Sequence, residues 1–312
     1  MVFCKEMTKI LDGIRIRDEI LRESKLRVER LAASGRAPGL TVILVGDDPA
    51  SHIYVRNKIK ACEELGIRSG RLTPPATIST GELVAMVEDL NRRPDVDGIL
   101  VQMPLPPQVD AKRVLLAIAP EKDVDGLHPL NAGNLVTNRP GPRPCTPSGV
   151  MELLERYGIP VSGRLAVVVG RSDLVGKPMA FLLLHQHATV TMCHSKTPDL
   201  AGVCRQADIL IAAMGRAALV TREFIKPGAT VIDVGMNRLT DREQAAAIFA
   251  RKPERLADFD KKGTLLVGDV NPVDAAEQAG AYTPVPGGVG PLTIAMLMVN
   301  TIDAAERRLS GC

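Results

Sequence analysis

Tyr54 and Lys58 stand four residues apart in Pro49-Ala50-Ser51-His52-Ile53-Tyr54-Val55-Arg56-Asn57-Lys58. On a helix that spacing puts an aromatic plate and an ammonium on one face. Val55, Ile59 and Cys62 follow at i, i+4 and i+7 and form the packing stripe, rotated about 100° from the first pair. An aromatic plate and an ammonium thus sit together at the edge of the core. Ser51 can cap the helix or bond a ligand at its mouth. Read alone, the segment fits an ordinary amphipathic helix with an exposed lysine better.

Two further loops carry groups of the same kind. Gly98-Ile99-Leu100-Val101-Gln102 puts an amide at the end of an apolar strand, and Pro104 and Pro106 stop the strand just beyond it. Strand carboxyl ends are where α/β folds place ligands. Lys122-Asp123-Val124-Asp125-Gly126 supplies two acids in a tight turn. Asp before Gly is also a common turn pair without any catalytic meaning.

A different chemistry is written in Val167-Val168-Val169-Gly170-Arg171-Ser172-Asp173-Leu174-Val175-Gly176. A β-branched run ends in a glycine, and a second glycine opens a helix. That geometry lets backbone N–H groups meet a phosphate at a helix N-terminus. The spacing differs from G-x-G-x-x-G. In dinucleotide folds an acid about 20 residues on bonds the ribose 2′-OH of NAD. Here the next apolar strand, Thr189 to Met192, runs into Cys193-His194-Ser195-Lys196, with no acid. Arg171, Ser195 and Lys196 can instead meet a 2′-phosphate, which points to NADP. The same residues also suit a plain strand–helix turn with surface charges.

The elements that must position these groups alternate between strand and helix, which argues for α/β architecture with largely parallel sheets. Strands are expected at 40–45, 96–103, 167–169, 189–192, 209–214, 230–234 and 265–267. Helices are expected at about 51–65, ending at Gly66 as a C′ residue, and at 80–90, 111–118, 150–157 and 292–309. The Pro- and Gly-rich stretch 138–149 reads as a domain crossing. A second crossing falls at Thr283-Pro-Val-Pro-Gly-Gly-Val-Gly-Pro291, with Pro291 suited to the first turn of the last helix. No strand follows that helix, so it is expected to return to the first domain. The expected units are 1–145 with 290–312, and 146–289.

Composition narrows the classes. With 312 residues there is room for two domains. A net charge of +3, without a basic stripe, gives no sign of nucleic-acid binding. Aromatic residues are only 3%, so the cores must be aliphatic. The six cysteines, at 4, 62, 145, 193, 204 and 312, make no C-x-x-C and suit no common zinc site. They read as reduced, mostly buried thiols of a cytosolic protein. His185 and His187 lack the neighbours of a metal site. Met1–Met7 lacks the apolar core of a signal peptide. The longest apolar stretch, 209–220, is broken by Gly215 and Arg216, too short for a membrane span.

Taken in order, Pro-Ala-Ser51-x-x-Tyr54-Val-x-x-Lys58, Gly-Ile-Leu-Val-Gln102, Lys-Asp-Val-Asp125-Gly, Arg143-Pro-Cys-Thr-Pro147, Val-Gly170-Arg171-Ser172-x-x-Val-Gly176 and Pro284-Val-Pro-Gly-Gly-Val-Gly-Pro291 form a specific signature. From about Met7 to Leu309 the chain resembles the bifunctional methylenetetrahydrofolate dehydrogenase/methenyltetrahydrofolate cyclohydrolase family. The resemblance implies an N-terminal α/β folate-binding domain, a C-terminal Rossmann-type NADP-binding domain, a cleft between them, and a homodimer.

It also implies roles. Tyr54 stacks on the folate, Lys58 is the central catalytic residue, Gln102 holds and tunes it, and Asp125 binds the pterin edge. Ser51, Pro286 and Gly287 lie near the substrate. Gly170, Arg171, Ser172, Ser195 and Met236 contact NADP. The first reaction moves a hydride from 5,10-methylenetetrahydrofolate and needs positioning rather than a base. The second adds water to the methenyl carbon, and its proton transfers suit a lysine of lowered pKa.

Three features depart from the family pattern. Met236 stands where isoleucine is usual. Asn271-Pro272 stands where an acid and an aromatic are commoner. Residues 238–262 form a longer, charged excursion, helix-prone over 243–251.

Overall fold

A computed structural model of the chain describes residues 8–310. Cys4, Cys312 and the Met1–Met7 segment examined for a leader lie outside them. In chain order the elements are β1 (Lys9–Ile10), α1 (Gly13–Ala33), β2 (Gly39–Ile43), α2 (Pro49–Leu65), β3 (Arg68–Leu72), α3 (Thr80–Arg92), β4 (Gly98–Val101), α4 (Ala111–Ala117), α5 (Pro129–Val136) and α6 (Cys145–Arg156). There follow β5 (Leu165–Val169), α7 (Gly176–His185), β6 (Thr189–Cys193), α8 (Leu200–Cys204), β7 (Ile209–Ala212), β8 (Thr230–Asp233), β9 (Asn237–Leu239), α9 (Arg242–Ile248), α10 (Pro253–Lys262), β10 (Leu265–Val267), α11 (Pro272–Gln278), β11 (Ala281–Tyr282) and α12 (Val289–Ser310).

The described chain divides into two compact units, 17–145 with 293–310, and 8–16 with 146–292. The division points fall inside α1, α6 and α12.

The first unit is built on a parallel three-stranded sheet, ordered β3-β2-β4. Every residue of β2 and β4 is buried, so these strands read as unbroken apolar runs rather than alternating ones. Ile43, Leu83, Val87, Ile99, Val101 and Val114 share one core. The residues of α12 beyond 292 belong to this unit. Arg27 of α1 pairs with Asp303 and Glu306, and Arg308 reaches the buried Asp97 beside Arg36. The last helix thus returns to the N-terminal unit.

The second unit carries a fully parallel six-stranded sheet, ordered β1-β11-β8-β7-β5-β6. Strand order reverses at β5, whose successor β6 lies on one side and β7 on the other. Residues 8–16 were expected in the first unit. They belong here because Lys9 and Ile10 pair with Ala281 and Tyr282 and extend this sheet.

Strand 265–267 also differs from expectation. β10 pairs antiparallel with β9 in a two-stranded ribbon outside the large sheet. The excursion between them folds as two helices, α9 capped by Asp241 and α10 ended by Gly263. Leu239, Ile248, Phe249, Phe259 and Leu265 give it a small core of its own. Arg251 anchors it to Asp274 and Glu277 of α11. The departure at Asn271-Pro272 has a local reason. Asn271 caps α11 by accepting from Val273 and Asp274, and Pro272 takes the first helical position.

Candidate active site

The first unit brings Lys58, Gln102 and Asp125 together. Helix α2 starts at Pro49, with Asp48 as its cap accepting from Ser51 N, and stops at Gly66 in the left-handed conformation. Ser51 is therefore not the cap; it is a buried residue of the first turn. Val55 and Cys62 are fully buried, which fixes the rotation of the helix. Tyr54, on another face, leaves 43% of its surface exposed.

Lys58 Nζ donates to Gln102 Oε1 at 2.9 Å, and Gln102 Nε2 donates to Met103 O at 2.7 Å. The second bond fixes which end of the amide faces the lysine. Gln102 N donates to Ile43 O, so the amide sits where β4 leaves the sheet. Asp123 lies alongside Ile99 of β4, which carries Asp125 to the same end. Gly126 (φ 70°) follows, and a Cβ there would collide with the backbone at Arg143–Pro144. A larger residue would push the Asp125 turn off that wall.

Two residues to which sequence reading gave no role complete the setting. Cys145 is buried, and its thiol donates to Val124 O at 3.4 Å, beside Asp125. Asn300 of α12 donates to Val124 O at 2.8 Å and to Arg143 O at 2.9 Å, bracing the loops that bear Asp125 and Cys145. An isolated asparagine in an apolar helix was the only signal.

Burial pushes the Lys58 amine down from the usual lysine range, and the Asp125 carboxylate partly restores it. Burial likewise pushes Asp125 up, opposed by the charge of Lys58, and holds Cys145 well above the ordinary thiol range. The pair can therefore trade a proton more easily than the same groups in water.

The second unit places Gly170, Arg171, Ser172, Ser195 and Met236 beyond the carboxyl ends of β5, β6 and β8. Gly170 (φ 130°) and Gly176 are needed for close approach. A Cβ on the first would strike Ala213 O, and on the second Gly170 O. Ser172 Oγ accepts from Val175 N at 3.1 Å and Gly176 N at 3.4 Å, leaving its own O–H to donate outward. Arg171, Ser195, Lys196 and Met236 are exposed. After β6 the chain turns through His194, whose Nδ1 accepts from Lys196 N. Pro286 and Gly287 follow β11 in this unit. Among the described residues no group of three His, Cys, Asp or Glu is placed to hold a metal ion.

A parallel sheet whose order reverses beside a glycine-lined strand–helix turn defines a dinucleotide-binding α/β protein, here joined to a unit with a half-buried lysine–amide–carboxyl cluster. Comparison with known families sharpens the class. The model described as the tetrahydrofolate dehydrogenase/cyclohydrolase catalytic domain matches residues 11–125, and that of the NAD(P)-binding domain matches 144–309. The chain belongs to the tetrahydrofolate dehydrogenase/cyclohydrolase family.

It is 68% identical over 306 residues to the bifunctional protein FolD of Solibacter usitatus, covering 98% of this chain and 100% of the relative. Identity to the protein of the same name from Koribacter versatilis is 61%, covering 97% and 98%. Among solved structures it is similar to the bifunctional FolD methylenetetrahydrofolate dehydrogenase/cyclohydrolase of Campylobacter jejuni, with a TM-score of 0.88, 43% identity, and 96% and 99% of the two chains covered. The Trypanosoma brucei dehydrogenase-cyclohydrolase, solved with NADP and an inhibitor, gives a TM-score of 0.86 at 39% identity, covering 97% and 99%.

Proposed function

We propose that this chain oxidises 5,10-methylenetetrahydrofolate to 5,10-methenyltetrahydrofolate with NADP and hydrolyses the product to 10-formyltetrahydrofolate, with Lys58 handling the protons of the second step. The observation that carries this reading is the Lys58–Gln102 hydrogen bond on an amine that burial has pushed toward its neutral form.

Bound NADP supplies the hydride acceptor for the first reaction. Gly170 would let the chain approach its phosphates, the Ser172 hydroxyl would donate to it, and Arg171 and Ser195 would take the 2′-phosphate. Met236 would offer an apolar contact beside them. The turn fits that group: its two glycines let the chain close tightly between β5 and α7, and no acid directly follows β6 to repel a 2′-phosphate. Removing a hydride from the methylene leaves a cation shared with the adjacent nitrogens, so the chain's task there is orientation. Tyr54 offers the face of its ring to the pterin, and Asp125 offers a carboxyl to its edge. Ser51, Pro286 and Gly287 are assigned to the substrate on the family resemblance alone.

In the second reaction, water adds to the methenyl carbon and must lose a proton. Neutral Lys58 accepts it and returns it to the ring nitrogen as that carbon–nitrogen bond breaks, while the hydroxyl left on the carbon releases its own proton to solvent and becomes the formyl carbonyl. The Gln102 carbonyl orients the amine through both protonation states. A homodimer and a cytoplasmic location complete the reading, supported by the family resemblance and, for the second, by four buried free thiols. No described helix is long and apolar enough to cross a membrane.

The test is to supply purified protein with 5,10-methylenetetrahydrofolate and either NADP or NAD. NADP should be reduced much faster than NAD, and the methenyl absorbance should rise and then decay faster than in buffer. Nucleotide binding without turnover would overturn the reading, and enzyme-independent decay would remove the second reaction from it.

A further inference from the structure

The large sheet contains a buried polar centre that the reaction does not use. Asp269 is fully buried just after β10. One carboxylate oxygen, Oδ2, accepts from Met214 N at 2.6 Å and Gly215 N at 2.8 Å. The other, Oδ1, accepts from Arg216 N at 2.8 Å and from Asn237 Nδ2 at 2.9 Å. Three consecutive backbone N–H groups thus converge on one side chain.

A second buried aspartate holds the first in place. Asp233 Oδ1 accepts from Asp269 N and Gly235 N, and Oδ2 from Val270 N. Gly235 and Gly268 make room for this nest, since a Cβ on either would collide with the facing carboxylate.

The loops so held are those at the reversal of strand order. Residues 214–216 follow β7, and Ala213 N donates to Val169 O at 2.8 Å beside Gly170. Asn237 directly follows Met236, which is 46% exposed. Gly215 and Arg216 are exposed too, while the carboxylate behind them is buried.

We propose that Asp269 is a positioning residue for the dinucleotide, holding the loops after β7 and β8 from behind without touching the ligand. The proposal rests on the NADP reading of this unit. Where those N–H groups lose their acceptor they turn to water, and binding must then order the loop at its own expense. Asn237, the residue just before the 238–262 excursion, belongs to the same centre.

Asp269→Asn tests it. Whichever way the amide lies, its NH2 replaces one oxygen and faces two of the four donors. Asn237→Ala is the milder companion, removing a single donor. NADP affinity is measured by titration calorimetry on the protein without folate, with hydrogen exchange at the amides of 214–216. Asp269→Asn should weaken NADP binding about tenfold or more, the scale of hydrogen bonds to a charged group, and speed exchange at 214–216. The KM for the methenyl substrate in the cyclohydrolase reaction should stay within about twofold, a split that general unfolding does not give. Asn237→Ala should weaken NADP in the same direction by a few-fold, and it decides the matter if Asp269→Asn does not fold. Unchanged NADP affinity in the folded variants removes the proposal alone. A parent protein that fails to bind NADP removes the cofactor reading and the proposal together.

Discussion

Around Lys58 the groups proposed to react are half-buried side chains, and burial displaces the proton affinities of the lysine, the facing carboxyl and the nearby thiol together. Around Gly170 the groups proposed for the cofactor are exposed side chains on a turn that its glycines allow to close tightly. The contrast follows from the tasks. Moving a proton needs a group whose charge state is nearly balanced, which desolvation supplies. Holding a phosphorylated carrier needs fixed donors and full charges, which solvent does not harm. A change at the first site should act on rate and its pH dependence, and one at the second on cofactor affinity.

The largest effect expected is that of Lys58→Met. Cyclohydrolase activity should fall by about 10²–10⁴-fold, the range of general acid–base catalysis, with NADP affinity within about twofold. Equal loss of both would erase the contrast and point to damage to the fold. Next, Arg171→Ala should weaken NADP by about 10- to 100-fold and leave NAD nearly unaffected, as for a lost charge-assisted hydrogen bond. Steady-state KM values for the two nucleotides, compared in one preparation, check this, and a parallel loss for NAD would refute the 2′-phosphate role.

Gly170→Ala forces a Cβ into a left-handed backbone against Ala213 O. It should destabilise the fold by about 1–3 kcal/mol, read from denaturant unfolding. The smallest effect is that of Gln102→Glu, which sets a carboxylate beside the Lys58 ammonium. Because Lys58 lies below its usual range, the base form accumulates as pH rises through that lowered value, and hydrolysis rises with it. The new charge should shift this rise to higher pH and slow hydrolysis at neutral pH by about tenfold. An unmoved profile would mean that Lys58 is not the titrating base.

Much of this was legible in the chain. The helix carrying Tyr54 and Lys58, its Gly66 stop, the apolar strands of both sheets and the returning last helix follow from periodicity, capping and punctuation. What escaped has local causes. β1 and β11 are two residues each, too short for any period. β3, Arg68–Leu72, is a half-exposed edge strand holding two arginines and a glycine. Helix α6 begins at Cys145, five residues before its expected start, because Pro147 sits within the first turn, where its missing N–H costs nothing. β10 has a core strand's composition, but its apolar residues serve the excursion's own core. Asp48 rather than Ser51 caps α2, a choice between two good caps three residues apart. Asp269 and Asn300 were invisible for a common reason: each answers donors or acceptors far away in sequence.

Asn300 also sets an order of events during synthesis. The loops bearing Asp125 and Cys145 are translated early, but the amide that ties them together is more than 150 residues downstream. Until α12 has been made, Val124 O and Arg143 O have no Asn300 amide to accept from. The chemistry around Lys58 therefore matures only near the close of translation, after the large sheet has been made.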